Sequence, residues 1–159
     1  MATGQPEKPT TSETDALEEA RSLRLALGDT ADRIEDLIAR PASDPLWTGR
    51  VNDAMAELRQ AFNDHVQEVE ADDGLLPQLL ADEPRIAHGI KQMYTEHVDI
   101  RTIVDNTTEM IIGCGTQCEA DAVEAIRLAV VDLLRLISRH RQAGADLVYE
   151  AYSVDIGGG

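Results

Sequence analysis

Apolar residues recur at spacings of three and four along most of the chain, and no stretch alternates apolar and polar residues as a half-buried strand would. Val51, Met55, Leu58 and Phe62 form one such stripe, and His65 extends it. A second runs through Ile86, Ile90, Met93, His97, Ile100 and Val104, and a third through Val123, Ile126, Val130, Leu133, Ile137 and His140. Residues so spaced share one face of an α-helix, because each residue turns the helix by about 100°. Three of the four histidines therefore point into the interior that these helices enclose. A polar ring there costs free energy unless something satisfies it. Three together predict a metal or a buried polar network. His88 lies on the opposite side of its helix from Ile86 and Ile90, and reads as a solvated surface residue.

The remaining punctuation divides the chain into four long helices. Residues 1 to about 13, rich in Pro, Thr and Glu, read as a disordered tail. The first helix is predicted over about 14–39, with the stripe Ala20, Leu23, Leu27, Ala31, Ile34, Leu37 and Ile38, weakened in the middle by Gly28 and ended by Arg40-Pro41. Ser43 or Asp44 is expected to cap the second, which runs to about Asp72. Asp73-Gly74 breaks the pattern, and Leu75-Leu76-Pro77 makes a short apolar turn or a separate helical piece. Asp82 is expected to cap the third helix, with Pro84 in its first turn, and this helix ends near Thr107 before a loop, IIGCGTQ. Thr116 and Glu119 have capping-box spacing, so the fourth is predicted over about 116–152. Residues 156–159 read as a flexible glycine-rich end. Short loops between amphipathic helices imply an all-α fold, an antiparallel up-down four-helix bundle, and such bundles build metal sites from facing helices.

Composition removes several alternatives. The chain has 159 residues, enough for one domain with a real core, and only 3% aromatics, which favours aliphatic helix packing. Its 30 acidic against 14 basic residues give a net charge of −16, which argues against broad contact with nucleic acid or anionic membranes. No apolar run reaches the roughly 18 residues of a membrane helix, and the N-terminus lacks a signal-peptide core, so a cytoplasmic location is expected. Arg135, Arg139 and Arg141, beside His140, read as local salt-bridging on a helix surface.

The stretches HVQEVEADDGLLPQLL, EPRIAHGIKQMYTEHVDI and LLRLISRHRQAGADLVYEAY resemble the hemerythrin-like (HHE) cation-binding family. A histidine, an acidic run, a Leu-Leu-Pro turn, a proline-initiated helix and a Glu-His pair follow in that family's order, over about residues 46–155. The resemblance implies a hemerythrin-like four-helix domain over 14–155 that binds iron in a di-iron centre. It carries over His65, His97 and His140. The chain departs from the pattern elsewhere: the first helix has no histidine, Val69 and Gly144 stand where glutamates follow His65 and His140, and Arg101 follows His97. Glu68, Glu70 or Asp73 would complete the metal shell. Three histidines and one carboxylate suit one divalent ion, iron or zinc. The implied role is binding or sensing of a small ligand such as oxygen, nitric oxide or peroxide. The alternative is a metal-free regulatory module with a vestigial site, burying its histidines against Glu68, Asp72, Glu96 or Tyr94 and pairing with a protein partner or as a homodimer.

Cys114 and Cys118 do not form a disulfide framework. They read as two loop thiols, Cys118 in the first turn of the fourth helix, or as a small redox-sensitive pair. No nucleophile–base–acid arrangement and no phosphate-cradling glycine loop is present.

Overall fold

The computed structural model describes residues 11–153; residues 1–10 of the expected tail and the glycine end lie outside them, and the last residues of that expected tail are helical, since the first helix already starts at Thr11. The described residues are all-helical: α1 (Thr11–Ile38), α2 (Trp47–Glu70), α3 (Leu75–Asp82), a 3₁₀ turn (Pro84–Ile86), α4 (Ala87–Cys114) and α5 (Ala120–Ser153). The four long helices contact one another in a closed ring, α1 on α2, α2 on α4, α4 on α5 and α5 on α1. None is long and apolar enough to cross a membrane.

The stripes read from the sequence become the core. Leu27, Ile34, Val51, Met55, Leu58, Phe62, Ile100, Val104, Val130, Leu133 and Ile137 are buried in one large cluster. Val69, Leu76, Leu79, Ile86, Ile90, Met93 and Leu147 make a second, smaller cluster under α3. On α2 the order is Phe62, His65, Val69. On α4 it is Met93, His97, Ile100, and on α5 Ile137, His140, Leu147. Each histidine therefore falls where its helix passes from one cluster to the other.

Helix ends differ from expectation where local chemistry was misread. The second helix stops at Glu70 rather than Asp72, because Ala71 turns extended (φ −55°, ψ 155°). Neither Ser43 nor Asp44 caps it: Leu46 stands at the cap position without a side-chain bond, and Asp44 accepts the Leu46 N–H at 2.9 Å in the turn before it. The Leu-Leu-Pro piece is a separate helix, α3, and Asp82 is its last residue rather than a cap. Glu83 caps the 3₁₀ turn instead, accepting from the Arg85 N–H. The expected loop after Thr107 is helical to Cys114. Buried Ile111 continues the Ile100, Val104, Thr107 face, and Gly115 (φ 65°) ends the helix. Glycine is the residue that takes such a φ without strain. Thr116 lies in the turn, and α5 starts at Ala120. At the end of α1, the orphan carbonyls are satisfied by distant side chains: Trp47 Nε1 donates to Leu37 O at 3.0 Å, and Arg127 donates to Ile38 O and Arg40 O, both at 3.0 Å.

Cys114 and Cys118 form a disulfide that spans this turn, with Cα atoms 5.1 Å apart, so neither is a loop thiol. Both pack against the large cluster. A ring this small constrains the unfolded chain by only about 2 kcal/mol. Replacing both cysteines by serine should lower the unfolding free energy by no more than about that amount, with the helical circular-dichroism signal unchanged. A thiol count on denatured, unreduced protein should read none.

Candidate metal and ligand site

His65 on α2, His97 on α4 and His140 on α5 meet in the interior. Their ring centroids are 5.5 Å (His65–His97), 5.7 Å (His65–His140) and 4.8 Å (His97–His140) apart. One nitrogen from each ring can be chosen so that all three lie within 4.8 Å of one another. His97 and His140 are buried and His65 is partly so. Phe62, one turn before His65, packs its ring against all three imidazoles, at 5.9–6.1 Å between centroids. His88 is exposed, as its face required.

Two of the rings are oriented by carboxylates from another helix. His97 Nδ1 lies 2.6 Å from Glu70 Oε1, and His140 Nδ1 lies 2.7 Å from Glu96 Oε2. In each of these two rings Nδ1 is thus engaged by a carboxylate, and Nε2 is the nitrogen left for another partner. His65 differs. Its Nδ1 is buried and has no hydrogen-bond partner.

Among the sequence-derived candidates, the three histidines come together and Glu70 joins them through His97. Glu70 reaches inward because it is the last residue of α2, where the chain turns away. Glu68 is half-buried on α2 but outside the cluster of candidate ligand atoms. Asp73 is exposed in the turn before α3, where its carbonyl accepts from Gln78 Nε2 at 2.7 Å. Glu96 is the network partner anticipated for a histidine, and the ring it holds is that of His140 rather than its sequence neighbour.

Burial, then the neighbouring His97 and His140, then Arg24 push His65 down to about 3. Burial, then His140 and Arg101 push His97 down to about 3. Burial raises Glu70, opposed by Arg101. The folded protein therefore keeps both imidazoles neutral at pH 7, in the form that ligates metal. In the unfolded chain these groups protonate near 6.5. Between about pH 6.5 and 3 the unfolded state binds more protons, so stability is retained above that window and lost as pH falls through it. Two such groups give a slope of at most about 2.7 kcal/mol per pH unit, reduced by Glu70, whose upward shift acts in the opposite direction. Urea titrations of metal-free protein from pH 7 to pH 4 should show this decline, and His97→Gln should flatten it.

The trio forms part of the wall of a cavity of about 460 Å³. Leu17, Arg21 and Arg24 enter it from α1, at the i, i+4, i+7 spacing of one helix face. Arg141 enters from α5, and the rest of the wall is mainly apolar residues of α2 to α5. Among the described residues, the surface salt-bridge reading of the basic group near His140 holds only for Arg135, which pairs with Asp132 at 3.4 Å. Arg141 turns inward, because Gly28 leaves room for it. A Cβ on Gly28 would sit 2.8 Å from the Arg141 guanidinium. Sequence periodicity had marked Gly28 only as a weak point in α1, and a glycine facing a long cationic side chain was the signal available. No protein-family model, curated protein or solved structure matches this chain.

Proposed function

We propose that this protein is a hemerythrin-like, antiparallel up-down four-helix bundle that holds one divalent transition-metal ion on His65, His97 and His140 and binds a small ligand beside it. The observation that carries this reading is the convergence of three imidazoles from three helices, with nitrogens within 4.8 Å of one another, on the wall of a cavity. A tetrahedral ion with bonds of about 2.0–2.1 Å holds its nitrogens roughly 3.3 Å apart, so small ring rotations would close the set. Histidines whose Nδ1–H is held by a carboxylate are the usual metal-ligating form. The up-down arrangement is supported by the order of the two core clusters, which reverses from α2 to α4 and again from α4 to α5.

One ion fits these residues better than two. Val69 is buried and apolar where a bridging glutamate would be needed, and Gly144 carries no side chain, although a Cβ there would meet nothing within 4 Å. Glu70 and Glu96 are engaged on ring nitrogens. Iron is the ion the resemblance implies, and zinc suits the same donors. Three protein ligands leave a coordination position facing the cavity, where oxygen, nitric oxide or peroxide would bind or be sensed.

A specific observation also favours the second reading, a metal-free regulatory module. The Glu70 and Glu96 hydrogen bonds satisfy two of the three histidines without any ion. Calorimetric titration of chelator-treated protein with zinc at pH 7.5 separates the two. One equivalent bound per chain supports the mononuclear site, two equivalents contradict it, and no heat of binding favours the metal-free module.

A further inference from the structure

The cavity beside the histidines has a charge pattern opposite to that of the whole chain. Thirty acidic residues outnumber fourteen basic ones overall, yet among the described residues lining this cavity there is no aspartate or glutamate, while Arg21, Arg24 and Arg141 are there. None of the three arginines forms an ion pair with a described carboxylate; the described arginine–carboxylate pairs are those of Arg33, Arg50, Arg59, Arg85 and Arg135. Among the described residues, two buried side-chain nitrogens lack any hydrogen-bond partner, His65 Nδ1 and Arg141 Nε. Both residues line this one cavity. A buried donor without an acceptor, above all on a cation, is costly. Apart from His97, His140 and Tyr149 the rest of the wall, including Leu76, Leu79, Met93 and Leu147, is apolar. The volume lies in the range of small-molecule sites, in which a few polar groups orient an otherwise apolar ligand.

We propose that this cavity binds a monocarboxylate with an apolar body, its carboxylate among Arg21, Arg24 and Arg141 and its hydrocarbon against the leucines under α3. The inference rests on the reading of this cavity as a ligand site and stands without its metal. Arginine matches a carboxylate with two parallel charge-assisted hydrogen bonds, and such bonds are stronger at the half-buried Arg24 and Arg141 than at the exposed Arg21. Gly28 belongs to the design, since a side chain there would displace the Arg141 guanidinium.

The test is calorimetric titration of octanoate and of 1-octanol into chelator-treated and zinc-loaded protein at pH 7.5. Octanoate should bind at one per chain in both forms, and 1-octanol at least about tenfold more weakly. Arg141→Gln and Arg24→Gln should each weaken octanoate about tenfold or more while leaving 1-octanol unchanged. Circular dichroism and the urea midpoint verify that the variants fold, and Arg24→Gln serves if Arg141→Gln does not. Equal affinity for acid and alcohol overturns the proposal, as does no octanoate binding in either form. Octanoate binding that needs zinc and is indifferent to both substitutions also overturns it, since the metal alone would then hold the carboxylate. Zinc stoichiometry is read in the same protein, so octanoate binding with no zinc binding would contradict the metal site and leave this inference standing.

Discussion

His97→Ala should abolish stoichiometric metal binding, while His88→Ala leaves it intact. His97 is the most enclosed of the three rings, 1% exposed, and sits 4.8 Å from His140 and 5.5 Å from His65. Its Nδ1 is fixed by Glu70, so its other nitrogen is the one presented to an ion. Removing an outer partner such as Glu70 typically costs about 10–100-fold in metal affinity, and loss of the ligand itself should cost more than about 100-fold. Glu70→Gln therefore provides the intermediate case. The two substitutions and the His88→Ala control can be ranked by competition with a chromophoric zinc chelator. Equal losses in His97→Ala and His88→Ala would show that the effect is not specific to the interior trio.

Phe62→Ala should be the most destabilising single change in the core, by about 3–5 kcal/mol. Phe62 is the chain's only phenylalanine, is 1% exposed, and is among the largest fully buried side chains. Its ring belongs to the large apolar cluster and also packs on the three imidazoles, edge-on to His97 and His140. Truncation removes the transfer free energy of the ring and leaves a void that rigid helix backbones do not fill. Domains of this size are stable by about 5–15 kcal/mol, so the loss is a large part of the total. Urea unfolding should show a much lower midpoint with an unchanged slope. Phe62→Leu keeps most of the volume and should cost less than half as much. Metal affinity should also fall in Phe62→Ala, because the three rings lose the surface that holds their relative tilt.

The helices and their buried faces were readable because the 3.6-residue period is a local signal, and the stripes of α2, α4 and α5 are buried as read. Helix ends were less readable. The glycines near Cys114 suggested a loop, yet packing of Ile111 on the core carries α4 past Gly113 to Gly115. The trio was legible for the same reason as the stripes: each histidine occupies an apolar row of its own helix. Glu70 and Glu96 were among the candidates, but which ring each would hold was not legible. Glu70 is excluded from the inner face of a regular helix, and joins the site only because α2 ends there. Glu96 adjoins His97 in sequence but serves His140 across a helix interface, a relation that no single-helix pattern contains. Arg141 followed the surface-charge expectation until Gly28, more than a hundred residues earlier, was placed opposite it. Pairings between helices depend on which faces meet, and periodicity fixes the faces without fixing their neighbours.

The account's central claim is that His65, His97 and His140 together hold one metal ion. Elemental analysis of untagged protein, purified from medium supplemented with iron and zinc and recorded with its near-ultraviolet and visible spectrum, tests it most directly. The predicted result is about one iron or zinc per chain, without oxo-bridge charge-transfer bands, and its loss in His65→Ala, His97→Ala and His140→Ala. A well-folded helical protein with no metal above background would contradict the claim.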